Sequence, residues 1–232
     1  MSLLSVERVS CNVAAGAPLA EVDLRVDEGE AVALIGPSRA GKSTFLKMVA
    51  GLVPVIEGRV RFDGRNINRA RAHERVRQGI GLVPQERRVF PSLSVEENLL
   101  VGAYRGRPGP WDLRTVTRVF PALGAYGKRS AAMLPGPEQQ LLAIGRALMT
   151  NPRLLMLDEL SLGPSPALAR QLGEAIRAIT SAGTAVLFVE QNLDRALTFA
   201  DRLYCLLKGR VTLAGSPADF SAPTIAAAYR AQ

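Results

Sequence analysis

One stretch narrows the possible folds more than any other. LIGPSRAGKST, at 34–44, completes the wholly apolar run AVALI (31–35) and leads into the amphipathic segment TFLKMVAGL (44–52). Gly36, four intervening residues and then Gly41-Lys42-Ser43 form the pattern of a phosphate-binding loop between a buried strand and a helix. Each part has a chemical reason. Glycines let the backbone turn successive N–H groups inward, and the helix N-terminus adds its positive end. Lys42 has the reach to meet terminal phosphates, and the Ser43 hydroxyl is a ligand for Mg²⁺. Gly36, Pro37, Ser38, Arg39, Ala40, Gly41, Lys42, Ser43 and Thr44 are therefore the expected nucleotide-binding residues. Arg39 is the anomaly, a long cation inside a loop built largely of small residues.

Four further apolar runs follow: GIGLV (79–83), LLML (154–157), AVLFV (185–189) and LYCLL (203–207). Runs without polar alternation suit strands covered on both faces, as in a parallel sheet. Between them lie helical patterns. Leu168, Leu172, Ile176 and Ile179 repeat at helical spacing, and Gly183 stands where a terminating glycine belongs. The alternation predicts an α/β fold with right-handed crossovers. Two regions depart from it. RVRFDG (59–64) alternates residue by residue and ends in an Asp-Gly turn, so it reads as an antiparallel strand. The span 92–150 reads as helical, opening on the capping box Ser94-Val-Glu-Glu97 and interrupted by the loop YRGRPGPWD (104–112). The expected organisation is one domain: an α/β core from 1–91 and 151–232 with an antiparallel β layer, and a helical subdomain inserted at 92–150.

Composition removes several classes. A chain of 232 residues with 47% hydrophobic and 22% charged residues buries a full core and shows no sign of disorder. No apolar run reaches the roughly 18 residues of a membrane span, and charged Glu7 and Arg8 come too early for a signal-peptide core, so a cytoplasmic protein is expected. Cys11 and Cys205 stand alone, outside metal-ligand spacing. The net charge of +8 comes from 25 arginines and 4 lysines against 21 acids. Its densest clusters, RARAHERVR (69–77) and ERR (86–88), lack the interleaved aromatics that stack bases, so no nucleic-acid partner is expected. A P-loop ATPase acting on nucleic acid is the alternative that charge alone suggests. The single histidine, His73, reads as a surface residue.

A second phosphate-site element is Asp158-Glu159, at the end of the buried run LLML. An aspartate there supports Mg²⁺, and the neighbouring glutamate orients or deprotonates the attacking water. Further pieces are GLVPQ ending at Gln85, LPGPEQQ (134–140), SLGPSP (161–166) and FVEQN (188–192). In this order the chain resembles, over essentially its whole length, the ATP-binding subunits of ABC transporters. The phrases HERVRQGIGLVPQERRVFPSLSVEENL (73–99), EQQLLAIGRALM (138–149) and FVEQN are similar to the branched-chain amino-acid importers among them.

The resemblance implies a P-loop NTPase core of the RecA-like kind, ATP and Mg²⁺ as cofactors, and ATP hydrolysis that drives uptake. It implies a second ATPase subunit closing head to tail, transmembrane permease subunits, an indirect substrate-binding protein, and a place on the cytoplasmic face of the membrane. It also implies roles. Gln85 senses the metal beside Ser43 and Asp158, Glu159 is the catalytic carboxylate, and Gln191 approaches the terminal phosphate. Leu134, Pro135, Gly136, Pro137 and Glu138 form the signature that meets the partner's ATP, and 161–166 forms the D-loop.

Four positions depart from the family pattern. Arg39 stands where glycine is usual; a positive φ there would cost about 1–2 kcal/mol, and the alternatives are a side chain that swings outward, one that contacts phosphate, or a broken loop. Val13 falls where an aromatic residue often stacks on adenine, a contact worth about 1–3 kcal/mol. Pro135 and Pro137 replace a serine and a glycine, removing a hydroxyl and N–H donors from the signature. Gln191 replaces a common histidine, although glutamine there is typical of the branched-chain branch. These departures leave open a regulatory, poorly hydrolytic half of a heterodimer.

Overall fold

The structure, a computed structural model, describes residues 2–13, 16–86, 88–104, 106–159, 166–220, 224–225 and 227–228. Strands β1 (Ser2–Cys11) and β2 (Leu19–Asp27) pair antiparallel. In β2, Val22, Leu24 and Val26 are buried while Glu21, Asp23 and Arg25 face solvent, the alternation of a sheet wet on one side. β3 (Ala31–Ile35) is buried at every residue, and α1 (Lys42–Val49) begins inside the phosphate loop. β4 (Glu57–Phe62) joins β5 (Arg65–Asn66) through Asp63 and Gly64, whose φ values of 52° and 73° are those the Asp-Gly turn favours.

Helix α2 (Ala72–Gln78) stops on left-handed Gly79 and leads into β6 (Ile80–Val83). Four helices then follow before the next strand: α3 (Val95–Ala103), α4 (Leu113–Val119), α5 (Pro121–Ala125) and α6 (Gly136–Leu148). The capping box opens α3: Glu97 N–H donates to Ser94 Oγ at 3.2 Å, and Ser94 N–H donates to the Glu97 carboxylate at 2.7 Å. The chain closes with β7 (Leu154–Leu157), α7 (Pro166–Ser181), β8 (Ala185–Glu190), α8 (Leu193–Phe199), β9 (Arg202–Leu207) and β10 (Arg210–Gly215). Among the described residues no helix is long and apolar enough to cross a membrane.

Two sheets result. The antiparallel one has the order β2-β1-β4-β5, and the other runs β10-β9-β3-β8-β7-β6. All pairings in the second are parallel except the edge pair β10 with β9. That edge strand escapes the apolar-run criterion because its residues alternate between half-buried and exposed.

The apolar runs have a simple cause. On β3, Ala31, Ala33 and Ile35 enter a core shared with α3–α7, while Val32 and Leu34 enter a second core shared with α1 and the antiparallel sheet. β7 and β8 divide in the same way: Leu155, Leu157, Val186 and Phe188 on one side, Leu154, Met156, Ala185 and Leu187 on the other. Each such side chain, fully buried, contributes about 1.5–3 kcal/mol for the larger residues.

The arginine-rich stretch 69–77 is not wholly a surface. His73 is exposed, but Arg75 is 2% exposed. Its guanidinium donates to the carbonyls of Met48 and Val49 at 2.8 and 2.9 Å, and to those of Ala70, Ile67 and Asn68. The first two belong to the last turn of α1, the negative end of that helix, where Met48 O also accepts from Gly51 N–H. A buried cation is thus neutralised by carbonyl dipoles, and it pins the far end of the helix that begins in the phosphate loop.

Candidate active site

β3 is flanked by β8 and β9, and beyond β8 lie β7 and β6. The carboxyl ends of β3, β8, β7 and β6 therefore stand side by side. They carry, in that order, the phosphate loop, Gln191, Asp158-Glu159 and Gln85. Residues far apart in sequence are brought together by parallel topology alone, at the edge where open α/β sheets bind ligands.

The loop has the conformation its glycines allow. Gly36 has φ 146°, and a Cβ there would lie 2.1 Å from the Leu206 carbonyl oxygen. Gly41 has φ 107°, and its Cβ would meet Leu19 Cδ2 at 2.9 Å. Neither position admits a side chain. Arg39 is also left-handed, with φ 63°, and exposed. The turn around it is nevertheless formed: Ala40 N–H donates to Pro37 O at 3.2 Å, and Gly209 N–H to Ala40 O at 2.9 Å. Lys42 is 6% exposed and donates from Nζ to Gly36 O and Pro37 O, both at 2.7 Å. Burial pulls its pKa below the ordinary lysine value, and the charges of Glu159 and Asp158 oppose that shift.

Ser43 Oγ donates to Asp158 Oδ1 at 2.8 Å. Asp158 is 5% exposed. Burial raises its pKa above the usual aspartate value, while the Ser43 hydroxyl, Lys47 and Lys42 hold it down. Glu159 has a positive φ of 60° and is held by two amides. Gln85 Nε2 donates to Oε2 at 2.7 Å, and Gln191 Nε2 donates to Oε1 at 2.8 Å. A carboxylate is thereby bracketed by glutamines from the strands on either side of its own.

These groups face a cavity of about 730 Å³. Ser38, Arg39, Ala40, Gly41, Lys42, Ser43, Thr44, Val13, Gln85, Glu159 and Gln191 line it. Gly36 and Pro37 contribute carbonyls behind Lys42, and Asp158 stands behind Ser43. The predicted signature residues lie elsewhere. Leu134 is 4% exposed and packs in the helical core, Pro135 is the N-cap of α6, and Gly136, Pro137 and Glu138 are its first turn. The D-loop expectation at 161–165 falls outside the described residues.

The lining also includes Gly16, Ala17, Lys47 and Val189, which sequence reasoning did not select. Lys47 had a signal, since it follows Ser43 by four residues on a helix and shares its face. Gly16 had none; a Cβ there would come within 3.2 Å of Thr44 Oγ1. Glu190 was also missed. It is 6% exposed, and its Oε1 accepts from the N–H groups of Gln191 and Asn192, both at 2.8 Å, which fixes the backbone that presents Gln191.

The donor set suits a hard divalent cation. Ser43 Oγ, a carboxylate oxygen of Asp158 and the carbonyl oxygen of the Gln85 amide are all oxygen ligands, the kind Mg²⁺ takes with water and phosphate. A family profile described as "ABC transporter" matches residues 19–161. The chain belongs to the ABC transporter family. It is 39% identical over 213 residues, 91% of each chain, to the high-affinity branched-chain amino acid transport ATP-binding protein BraG of Pseudomonas aeruginosa. It is also 38% identical over 226 residues to the Fe(3+) ions import ATP-binding protein FbpC of Streptomyces coelicolor, covering 94% of this chain and 63% of that one. Among solved structures, it resembles a dimeric post-hydrolysis ATP-binding cassette bound to ADP and Pi, with TM-score 0.78, 26% identity and 92% and 98% coverage. The fold is that of the P-loop NTPase cassette, and ATP is the nucleotide its family binds.

Proposed function

We propose that this chain is the ATP-binding and ATP-hydrolysing subunit of an importer for branched-chain or related amino acids, placed on the cytoplasmic face of the membrane. The observation that carries the proposal is the Gln191–Glu159–Gln85 row beside an intact phosphate loop. The loop amides, Lys42 and Thr44 bind the phosphates, with Val13 near the base. Ser43, Asp158 and Gln85 hold Mg²⁺, which on binding neutralises phosphate charge. Glu159 orients water and takes its proton, a role for which a carboxylate oxygen must be released by one of its two amides. Gln191 donates a hydrogen bond toward the terminal phosphate but carries no charge.

Residues 134–138 stand outside the cavity, so they serve the ATP of a second subunit closing head to tail. Residues 92–150 act as the helical subdomain between the two parts of the core, and permease subunits and a substrate-binding protein complete the importer. Similarity to BraG supports the cargo assignment; FbpC, named for a different cargo, is nearly as identical, since fold and ATPase machinery do not themselves name cargo. Calorimetric titration of MgATP tests the site: saturable binding by the wild type that Lys42→Ala abolishes supports it, and no binding by either contradicts it.

A second reading has its own observation. Pro135 and Pro137 occupy the N-cap and second position of α6, where neither has an N–H to offer a phosphate. On that ground the chain is instead the poorly hydrolytic, regulatory half of a heterodimer.

A further inference from the structure

Arg39 sits at a corner of the turn closed by Ala40 N–H on Pro37 O. Its φ of 63° lies where a side chain is disfavoured and glycine is not. Residues held in such conformations cluster at ligand sites. Arg39, Lys42 and Lys47 line the cavity against a single lining carboxylate, Glu159, both of whose oxygens already accept from amides. Lys42 is turned onto the Gly36 and Pro37 carbonyls. Arg39 has no hydrogen bond or ion pair among the described residues. The cavity therefore holds an unneutralised guanidinium suited to a polyanion, and guanidinium is the group that grips phosphate through paired N–H donors.

Position along the cavity selects the phosphate. Val13, Gly16 and Thr44 lie together on the lining, and Glu159 with the two glutamines forms another group on it. The inner phosphates belong to the loop amides and the N-terminus of α1. On the proposed reading the terminal phosphate lies toward Glu159, the group that orients the water, and Arg39 lines the same cavity.

We infer that the Arg39 guanidinium is a ligand of the terminal phosphate and makes the site distinguish nucleoside triphosphate from diphosphate. The inference rests on the nucleotide binding proposed above. It also gives the departure at position 39 a purpose: in a pair of identical subunits, it supplies a cation to a phosphate whose facing signature carries Pro135 and Pro137 and so lacks N–H donors.

The test is calorimetric titration, with Mg²⁺ present, of ADP and of the ATP analogue with an imido bridge between the β and γ phosphates. The proteins are wild type, Arg39→Gly, Arg39→Gln, Arg39→Lys and Lys42→Ala. Arg39→Gly and Arg39→Gln are expected to weaken the analogue about tenfold or more while changing ADP less than about threefold, with Arg39→Lys between them and wild type. Arg39→Gly also relieves the left-handed strain, so its thermal midpoint stays unchanged or rises; weakened binding then cannot be assigned to misfolding. Equal or tighter analogue binding by Arg39→Gly, or equal losses for both nucleotides, overturns the inference. If wild type binds neither nucleotide, the proposed site fails and the inference with it. Binding that Lys42→Ala abolishes and Arg39→Gly retains in full for both nucleotides removes the inference alone.

Discussion

At Asp158, stability and binding pull in opposite directions. The carboxylate is buried behind Ser43, and burial raises its pKa despite the hydroxyl and the two lysines that oppose the shift. The sign of the linkage follows. A folded-state pKa above the unfolded value favours the fold at acid pH, and that contribution is lost as pH climbs through the raised value. Asp158→Asn keeps a partner for Ser43 and removes the loss. Its thermal midpoint should match wild type near about pH 4 and equal or exceed it near about pH 8, while the Mg²⁺-dependent part of its ATP affinity disappears. Differential scanning calorimetry at both pH values checks the first statement and titration with and without Mg²⁺ the second. A variant less stable at the higher pH would show that the charged form is paired well enough to stabilise the fold.

Among the elements, α6 carries the sharpest question, because its N-cap and its first turn each lack an N–H donor. Pro135→Ser with Pro137→Gly restores a hydroxyl and the missing amides. If those donors limit hydrolysis, phosphate release by the assembled ATPase should rise about tenfold or more; unchanged turnover contradicts the regulatory-half reading. Elements were legible in the sequence where one physical cause dominated. β3, β7 and β8 sit in two cores at once, and so each writes a continuous apolar run. The capping box at Ser94 and the Asp63-Gly64 turn are local, needing nothing beyond neighbouring residues. Tertiary effects left no such mark. β10 alternates weakly at a sheet edge, and Arg75 stands in an arginine-rich stretch of which only the fold shows one member capping α1.

On the scale of the whole molecule, the site is a product of strand order. Gln85, Asp158, Glu159 and Gln191 span more than a hundred residues of sequence, and they meet because β6, β7 and β8 lie next to one another in parallel. Motif order and resemblance located each of them, but the double bracket on Glu159 could not be read from sequence, since it depends on two amide geometries. Gly16 and Glu190 were hidden for the same reason, since only the fold shows what they face. The signature residues at 134–138 make the opposite case: legible as a motif, they lie away from this chain's own cavity, and on the proposed reading they serve a second subunit. The central claim is that Glu159, released from its glutamines, drives hydrolysis of ATP bound by the phosphate loop. Phosphate release at saturating MgATP by the ATPase assembled with its membrane partner tests it most directly. Turnover by wild type that falls about 10²-fold or more in Glu159→Gln, with ATP binding retained, is the predicted result; equal turnover in the two would contradict the account.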